Sequence, residues 1–138
     1  MDYRQMTAPC GIDCFNCALY AARENEKLRN VVAKSMNLKV EDALCNGCRN
    51  QDGKCVAHSV TEPCSVYKCI TKKGIDFCFE CDDFPCDFLH PYADQAAMRP
   101  HNTKIFNLCL IKKMGVDTWA ETKAKKVRDM YFKEKFKL

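Results

Sequence analysis

Cysteine is the feature of this sequence that most restricts how the chain can fold. The 138 residues include 12 cysteines, and eleven of these lie between Cys10 and Cys86. Thiols that lie so close together in a sequence generally either pair as disulfides or bind metal ions, and these two outcomes belong to different cellular compartments. The compartment and the spacing of the cysteines therefore decide between a disulfide scaffold and a metal-stabilised fold.

The N-terminal residues and the distribution of apolar residues point to a reducing compartment. Residues 1–5, Met-Asp-Tyr-Arg-Gln, contain no apolar segment of the kind found in secretory signals. No stretch of the sequence approaches the roughly 18 apolar residues of a membrane span. We therefore expect a cytoplasmic protein without a membrane segment, in which the cysteines bind metal instead of pairing with each other.

Three motifs have the spacing of metal ligands. The sequence opens with Cys10-x3-Cys14-x2-Cys17, and Cys-x2-Cys pairs, or knuckles, begin at Cys45 and Cys78. Two intervening residues allow both sulfurs of a knuckle to reach one ion. We predict eleven metal ligands: Cys10, Cys14, Cys17, Cys45, Cys48, Cys55, Cys64, Cys69, Cys78, Cys81 and Cys86.

Zinc is the predicted metal, with two or three ions, because Zn²⁺ accepts four thiolates in a closed tetrahedral site. One grouping assigns the last four of these cysteines, from Cys69 to Cys86, to one ion. It assigns the four from Cys45 to Cys64 to a second ion and leaves the first three in need of a partner. Interleaved sharing of the ligands is an equal alternative. His58 has ligand spacing from Cys55 but is expected to face solvent, and Cys109 is expected to be a packed thiol on an apolar helix face.

An iron–sulfur cluster is the alternative to zinc. Cys10-x3-Cys14-x2-Cys17 has the spacing with which radical S-adenosylmethionine enzymes hold three irons of a four-iron cluster. Those enzymes form a repeated strand–helix barrel of about 200 residues or more, and this sequence has no such repeat. The motif alone therefore does not assign the chain to that class of enzyme.

The fold class follows from the apolar content and the periodicity. Hydrophobic residues make up 47% of the chain when cysteine is included, and they are sparse in the first ninety positions. A structural zinc site contributes about 10–16 kcal/mol in small peptides, which is comparable to the net stability of a whole domain. We predict a small, metal-stabilised single domain, residues 1–138, mainly α-helical, with cysteine-rich loops and knuckles and little or no regular sheet. Residues 1–90 form its cysteine-rich metal-binding part, and residues 91–138 form a helical part packed on it.

Helical periodicity is clearest in four regions. The pattern predicts one helix over residues 18–36 and a short helical piece at residues 40–43. Thr61 and Pro63 predict the start of a third helix that ends near Gly74. Two further helices are predicted on either side of Gly115, the second capped by Asp117.

The charge of the chain is uneven. Residues 1–90 hold 11 Lys and Arg against 13 Asp and Glu, and residues 91–138 hold 11 against 5. The basic end either compensates the negative charge of zinc–thiolate sites or binds nucleic acid. For nucleic-acid binding the candidate residues are Lys123, Lys125, Lys126 and Arg128.

The sequence contains no catalytic motif that we can identify. It has no His-x-Glu or His-Glu-x2-His pattern of a catalytic zinc site, and its five glycines form no phosphate-binding loop. We therefore expect a non-catalytic protein-interaction or regulatory module that presents Phe77, Phe79, Phe84 and Phe88 to an unknown protein partner. Iron–sulfur or thiol redox chemistry and nucleic-acid binding are the alternatives.

The order of these motifs resembles a known family. The series runs from Cys10-Gly11-x2-Cys14-x2-Cys17 through Cys45-x-Gly47-Cys48 and Cys64-x4-Cys69 to Phe77-Cys78-x2-Cys81-x2-Phe84-Pro85-Cys86, and ends with Gly115-x3-Trp119. It is similar to the cysteine-rich prokaryotic proteins called "domain of unknown function 3795". The resemblance implies a cytosolic bacterial or archaeal protein with metal sites, and it implies no particular activity.

Overall fold

The computed structural model describes the whole chain, Met1–Leu138, and it is mostly helical. No strand forms, and an isolated bridge between Cys55 and Val60 is the only β-type pairing. The expected helical fold without regular sheet is therefore confirmed. The α-helices are α1 (Ala18–Ala21), α2 (Glu26–Met36), α3 (Ser65–Lys73), α4 (Lys104–Met114), α5 (Val116–Trp119) and α6 (Lys125–Lys133).

Short helical turns occupy much of the cysteine-rich part. Each is a single 3₁₀ turn, and several begin at a cysteine or directly after one. Such turns are too short to be seen as periodicity in a sequence, and only the one at Val40–Asp42 corresponds to a predicted piece, the one at residues 40–43. They span Cys14–Asn16, Val40–Asp42, Cys48–Asn50, Val56–His58, Cys78–Glu80, Asp87–Leu89 and Pro100–Thr103.

The helix predicted over residues 18–36 is divided in two. α1 ends at Ala21 and α2 begins at Glu26. Asn25 causes the restart, because its side chain accepts a hydrogen bond of 3.0 Å from the backbone N–H of Leu28 and so caps α2. The prediction was wrong here because the capping residue lies inside an otherwise helical pattern.

The other helix ends follow the sequence more closely. α3 ends at Gly74, as predicted, but it begins after Cys64, whose Sγ accepts the backbone N–H of Tyr67 at 3.5 Å. The predicted cap at Thr61 was therefore three residues too early. Gly115 separates α4 from α5 as predicted, and Asp117 lies in the first turn of α5 instead of capping it. A π-helical stretch, Ala120–Ala124, joins α5 to α6.

The hydrophobic interior is small. Only 25 of the 138 residues are buried, and seven of the 17 buried apolar residues are alanines, which contribute little area. The main core lies between α3, α4 and α5 and includes Ile70, Leu108 and Trp119. A second cluster, centred on Leu19 and Val32, lies between α1 and α2. This small interior is consistent with the expectation that the chain has few apolar residues with which to form a core.

The four phenylalanines expected to meet a protein partner are mostly part of this interior. Phe77 is 1% exposed, and Phe79 and Phe84 pack against the main core. Phe88 alone is exposed, at 51%. The expected aromatic docking surface is therefore wrong for Phe77, which is fully buried, while Phe79 and Phe84 are partly buried.

The first cysteine loop is tied to the C-terminal helices by two close contacts. The buried amide of Asn107 in α4 donates a 2.8 Å hydrogen bond from its Nδ2 to the carbonyl of Gly11. Phe15 lies edge-on to Trp119 with ring centroids 5.9 Å apart. Gly11 has φ +87°, and a Cβ there would lie 2.8 Å from the carbonyl oxygen of Lys104. No side chain fits between this loop and α4.

We expect Gly11→Ala to destabilise the fold more than Gly115→Ala does. Both glycines have a positive φ, +87° and +83°, but a Cβ at Gly115 would meet nothing within 4 Å. Both variants bear the backbone strain, and only the first also forces the loop away from α4, which adds about 1–3 kcal/mol. Chemical denaturation of the two variants measures this difference, and equal stability would show that the contact with α4 is not tight.

Candidate metal centres

The eleven predicted ligands line two cavities. A large cavity of about 460 Å³ is lined by seven cysteines: Cys10, Cys14, Cys17, Cys45, Cys48, Cys55 and Cys64. A small cavity of about 20 Å³ is lined by the remaining four: Cys69, Cys78, Cys81 and Cys86. All twelve cysteines are free thiols. Cys109 lines neither cavity and is exposed, so the expectation that it would be packed inside was wrong.

The small cavity has the size of one atom or water molecule. Its four cysteines come from α3, from the turn Cys78–Glu80 and from the chain that follows it. The other lining residues are all apolar: Val66, Ile70, Ile75, Phe84, Phe88 and Leu89. Burial raises the pKa of Cys78 to about 12, and the neighbouring cysteines add to this increase. A thiolate at Cys78 therefore requires a positive charge beside it.

Lys73 supplies a positive charge at the edge of this group. Its Nζ lies 2.8 Å from Cys81 Sγ and 2.6 Å from a carboxylate oxygen of Asp83. Hydrogen bonds to Asp83 and Cys81 raise the pKa of Lys73. The backbone N–H of Asp83 also points at the same sulfur, at 3.4 Å. These contacts are the kind that stabilise a charged thiolate or a metal-bound sulfur.

The seven thiols of the large cavity interact most strongly in two pairs. The Cys48 thiol hydrogen-bonds to Cys14, which lowers the pKa of Cys14 and raises that of Cys48. The Cys55 thiol hydrogen-bonds to Cys45, which lowers the pKa of Cys45 to about 6 and raises that of Cys55. The pKa values of the two thiols in the Cys45-x2-Cys48 knuckle are thus shifted by different cysteines, and Cys45 Sγ also donates a 3.2 Å hydrogen bond to Gln51 Oε1.

Further cysteines act on each pair. Cys10, Cys14 and Cys64 raise the pKa of Cys48, and Cys17 raises that of Cys55. These effects also link the two pairs, because Cys14 raises the pKa of Cys17 and Cys45 acts on Cys14. Cys17, Cys45 and Cys55 each pack against the second hydrophobic cluster. How the seven thiols divide between ions therefore stays a prediction.

The thiols are gathered but are not in coordination geometry. No group of three or more His, Cys, Asp or Glu side chains in this structure is arranged as a metal site. His58 lines the large cavity and is partly buried, and burial lowers its pKa. The expectation that His58 would face solvent was therefore wrong.

The C-terminal part supplies most of the cationic side chains around the large cavity. Arg99, Lys104 and Arg128 line it together with Lys54, and Asp87 is the only carboxylate in the lining. Lys104 lowers the otherwise raised pKa of Cys10, which burial brings to about 11. Charge compensation was the sequence-based interpretation of the basic C-terminal part, and these positions are consistent with it. No sequence pattern singled out Arg99 or Lys104.

The side chain of Arg128 forms a buried ion pair. Its Nε and Nη2 each donate a 2.8 Å hydrogen bond to the carboxylate of Asp13, whose side chain is 2% exposed. Asp13 lies between Cys10 and Cys14, so this pair joins α6 to the first cysteine loop. Arg128 was predicted as a nucleic-acid contact, and this ion pair removes it from the free basic surface. Lys125 and Lys133 both contact Asp129 on the exposed side of α6.

The comparison with protein families gives one match. Residues 6–91 match the family described as "Protein of unknown function (DUF3795)". The chain belongs to this family. The matched region contains all eleven clustered cysteines and ends before α4, although the sequence resemblance continued to Trp119. No curated protein and no solved structure is similar enough to the chain to match it.

Residues 92–138 lie outside the family match, yet they complete the large cavity through Arg99, Lys104 and Arg128. The eleven clustered cysteines therefore lie in the region that the family match covers, and Arg99, Lys104 and Arg128 of the cavity wall lie in the part that follows. None of the helices combines the length and the apolar character needed to cross a membrane.

We expect Arg128→Met to destabilise the protein by about 3–5 kcal/mol, because it leaves the Asp13 carboxylate buried without its cation. Lys125→Met is the matched control on the same helix, since Lys125 is exposed and its loss leaves no buried charge. Thermal and denaturant unfolding of both variants measure the difference. If Arg128→Met were as stable as the control, the ion pair would not hold α6 to the cysteine loop.

Proposed function

We propose that this protein is a metal-binding domain in which zinc ions, held by cysteine thiolates, take the place of part of the hydrophobic interior. The observation that carries this proposal is the gathering of eleven thiols around two cavities. Such a domain acts as a non-catalytic interaction or regulatory module. We propose the cytoplasm as its compartment, because twelve free thiols persist in a reducing environment.

The small cavity supports a closed structural site. Four thiols line a space of about 20 Å³, which is about the size of one ion and too small for a substrate. Zn²⁺ with four thiolates carries a net charge of −2, and Lys73 lies beside one of the sulfurs. A closed Cys₄ site of this kind contributes to folding and has no open position for catalysis.

The energetics also support a metal. Close thiols that ionise together repel each other, and burial adds a further cost to each charge. A divalent cation offsets both the repulsion between thiolates and the cost of burying their charge. It also links segments that are distant in sequence, such as the Cys14 and Cys48 loops. With only 25 buried residues, the chain has few other means of fixing these loops.

An iron–sulfur cluster is the second candidate, and the size of the large cavity favours it. About 460 Å³ is much more space than one ion needs, and seven thiols surround it. A polynuclear cluster held by thiolates fills a larger volume than zinc does. Colour distinguishes the two, because an iron–sulfur protein is brown and absorbs near 400 nm whereas a zinc protein is colourless.

Nucleic-acid binding has less support. Arg128 is engaged by Asp13, and Asp129 lies between Lys125 and Lys133 on α6. Of the four residues predicted for this role, only Lys123 and Lys126 make no ion pair. A phosphate-driven interaction would weaken steeply between 50 and 200 mM salt.

We expect anaerobically purified protein to contain two or three zinc ions per chain by elemental analysis. Cys78→Ser should lose about one of these ions and melt at a clearly lower temperature, because a closed site loses one of its four thiolates. Cys109→Ser is the control, since Cys109 is exposed and lies in neither cavity. It should keep every ion and the melting temperature of the wild type.

Two outcomes contradict the proposal. Protein that is isolated without air or chelator, is well folded and contains no metal would remove the metal-binding function altogether. A finding of iron and acid-labile sulfide, without zinc, would favour the iron–sulfur alternative over the zinc proposal. If Cys78→Ser kept the full metal content, Cys78 would not be a ligand.

A further inference from the structure

One wall of the large cavity is formed by a stretch of chain that contains no cysteine. The seven cysteines that line this cavity all lie between Cys10 and Cys64. A later stretch, residues 87–104, also lines the cavity. Four of its lining residues lie between positions 92 and 102, and they are Tyr92, Arg99, Pro100 and His101. This wall therefore encloses the thiols without adding one to them.

The side chain of Asn102 joins the two ends of this stretch. Its Oδ1 accepts a 2.9 Å hydrogen bond from the backbone N–H of Tyr92, and its Nδ2 donates a 2.8 Å hydrogen bond to the carbonyl of Tyr92. Nε2 of His101 lies 3.0 Å from the same carbonyl oxygen. Residues 92–102, which we call the strap, thus form a surface loop of the compact kind whose two ends lie close together.

Between its ends the strap is weakly attached to the rest of the protein. Residues 93–98 are exposed, except Ala96, which is partly buried. The backbone hydrogen bonds of residues 93–99 all have both partners inside this stretch. A segment with few buried contacts and no backbone bonds to its surroundings opens locally at a small cost in free energy. The contacts of Asn102 with Tyr92 are therefore the main restraint on the strap.

The small cavity has no such wall. None of residues 92–102 lines it. In the large cavity six of the seven thiols are partly buried, and only Cys64 is exposed. Movement of the strap therefore uncovers thiols of the large cavity alone, and the four thiols of the small cavity provide an internal reference.

We propose that the strap is a gate for the six partly buried thiols of the large cavity. It opens when Asn102 releases Tyr92, which takes Arg99 and Pro100 out of the cavity wall, and it closes when the two hydrogen bonds form again. Small molecules that react with these thiols reach them mainly while the strap is open. The gate needs no metal ion and does not depend on how the thiols divide between ions. Under the proposed function it also sets the rate at which metal enters or leaves the large cavity.

Alkylation by iodoacetamide tests the gate, with mass spectrometry of each cysteine-containing peptide of the anaerobically purified protein. Asn102→Ala removes both hydrogen bonds to Tyr92, so the strap is open for a larger fraction of the time. We expect the six thiols to be labelled about 5-fold faster or more, and the four thiols of the small cavity to keep their wild-type rates.

Asn30→Ala is the matched control. Asn30 likewise donates a 3.0 Å side-chain hydrogen bond to a backbone carbonyl, that of Glu26, but it lies on α2 and lines neither cavity. Its labelling rates should equal those of the wild type at every cysteine.

Hydrogen exchange tests the gate in the wild type, without relying on a variant that folds. The backbone amide of Tyr92 should exchange faster than the buried amides of α4, because local opening of the strap exposes it. In Asn102→Ala the amide of Tyr92 should lose its remaining protection, while α4 keeps its own.

Three results would overturn the gate. Labelling in Asn102→Ala at the wild-type rate would show that the strap does not limit access to the thiols. Equal acceleration at both cavities would show that Asn102 stabilises the whole fold. A Tyr92 amide that exchanges as slowly as those of α4 would show that the strap does not open by itself. Each of these results leaves the proposed function standing, because elemental analysis reports the metal content separately.

Discussion

Mutual repulsion among close thiols is the constraint on which the rest of this structure depends. Seven sulfurs face one cavity and four face another, and each ionised thiol raises the pKa of its neighbours. Burial adds to this effect at Cys10 and Cys78, whose pKa values rise to about 11 and about 12. The protein either keeps these thiols protonated or neutralises them with cations. Metal ions inside the cavities and basic side chains around them are the two available sources of positive charge.

The cationic residues follow from this constraint. Lys73 contacts Cys81 at the small cavity, while Lys104 and Arg128 lie at the large one. The basic C-terminal part is thus explained in part by the cysteines in the N-terminal part. A nucleic-acid partner is not needed to account for Arg128, because Asp13 already pairs with it.

Local signals predicted the local parts of this fold. The ends of α3 and α4 at Gly74 and Gly115 follow from the conformational freedom of glycine, and the cysteine spacing predicted which residues gather. The sequence did not reveal how the thiols are shared, because that depends on contacts between distant segments. Asp13 and Arg128 are 115 positions apart, and no periodicity records such a contact. The break before α2 was missed for a local reason, since the Asn25 cap is inconspicuous within a helical pattern.

The first cysteine loop explains why residues beyond the family match belong to the same structural unit. Within five positions, Gly11 accepts a hydrogen bond from Asn107, Asp13 pairs with Arg128, and Phe15 packs on Trp119. These contacts involve α4, α6 and α5 in turn, and they alternate along the loop with Cys10, Cys14 and Cys17. The positions of these three sulfurs therefore depend both on the contacts of the loop with the C-terminal helices and on the contacts among the thiols. Metal binding of the kind proposed would consequently be coupled to the packing of the C-terminal helices, because the cysteines alternate with these contacts along the loop.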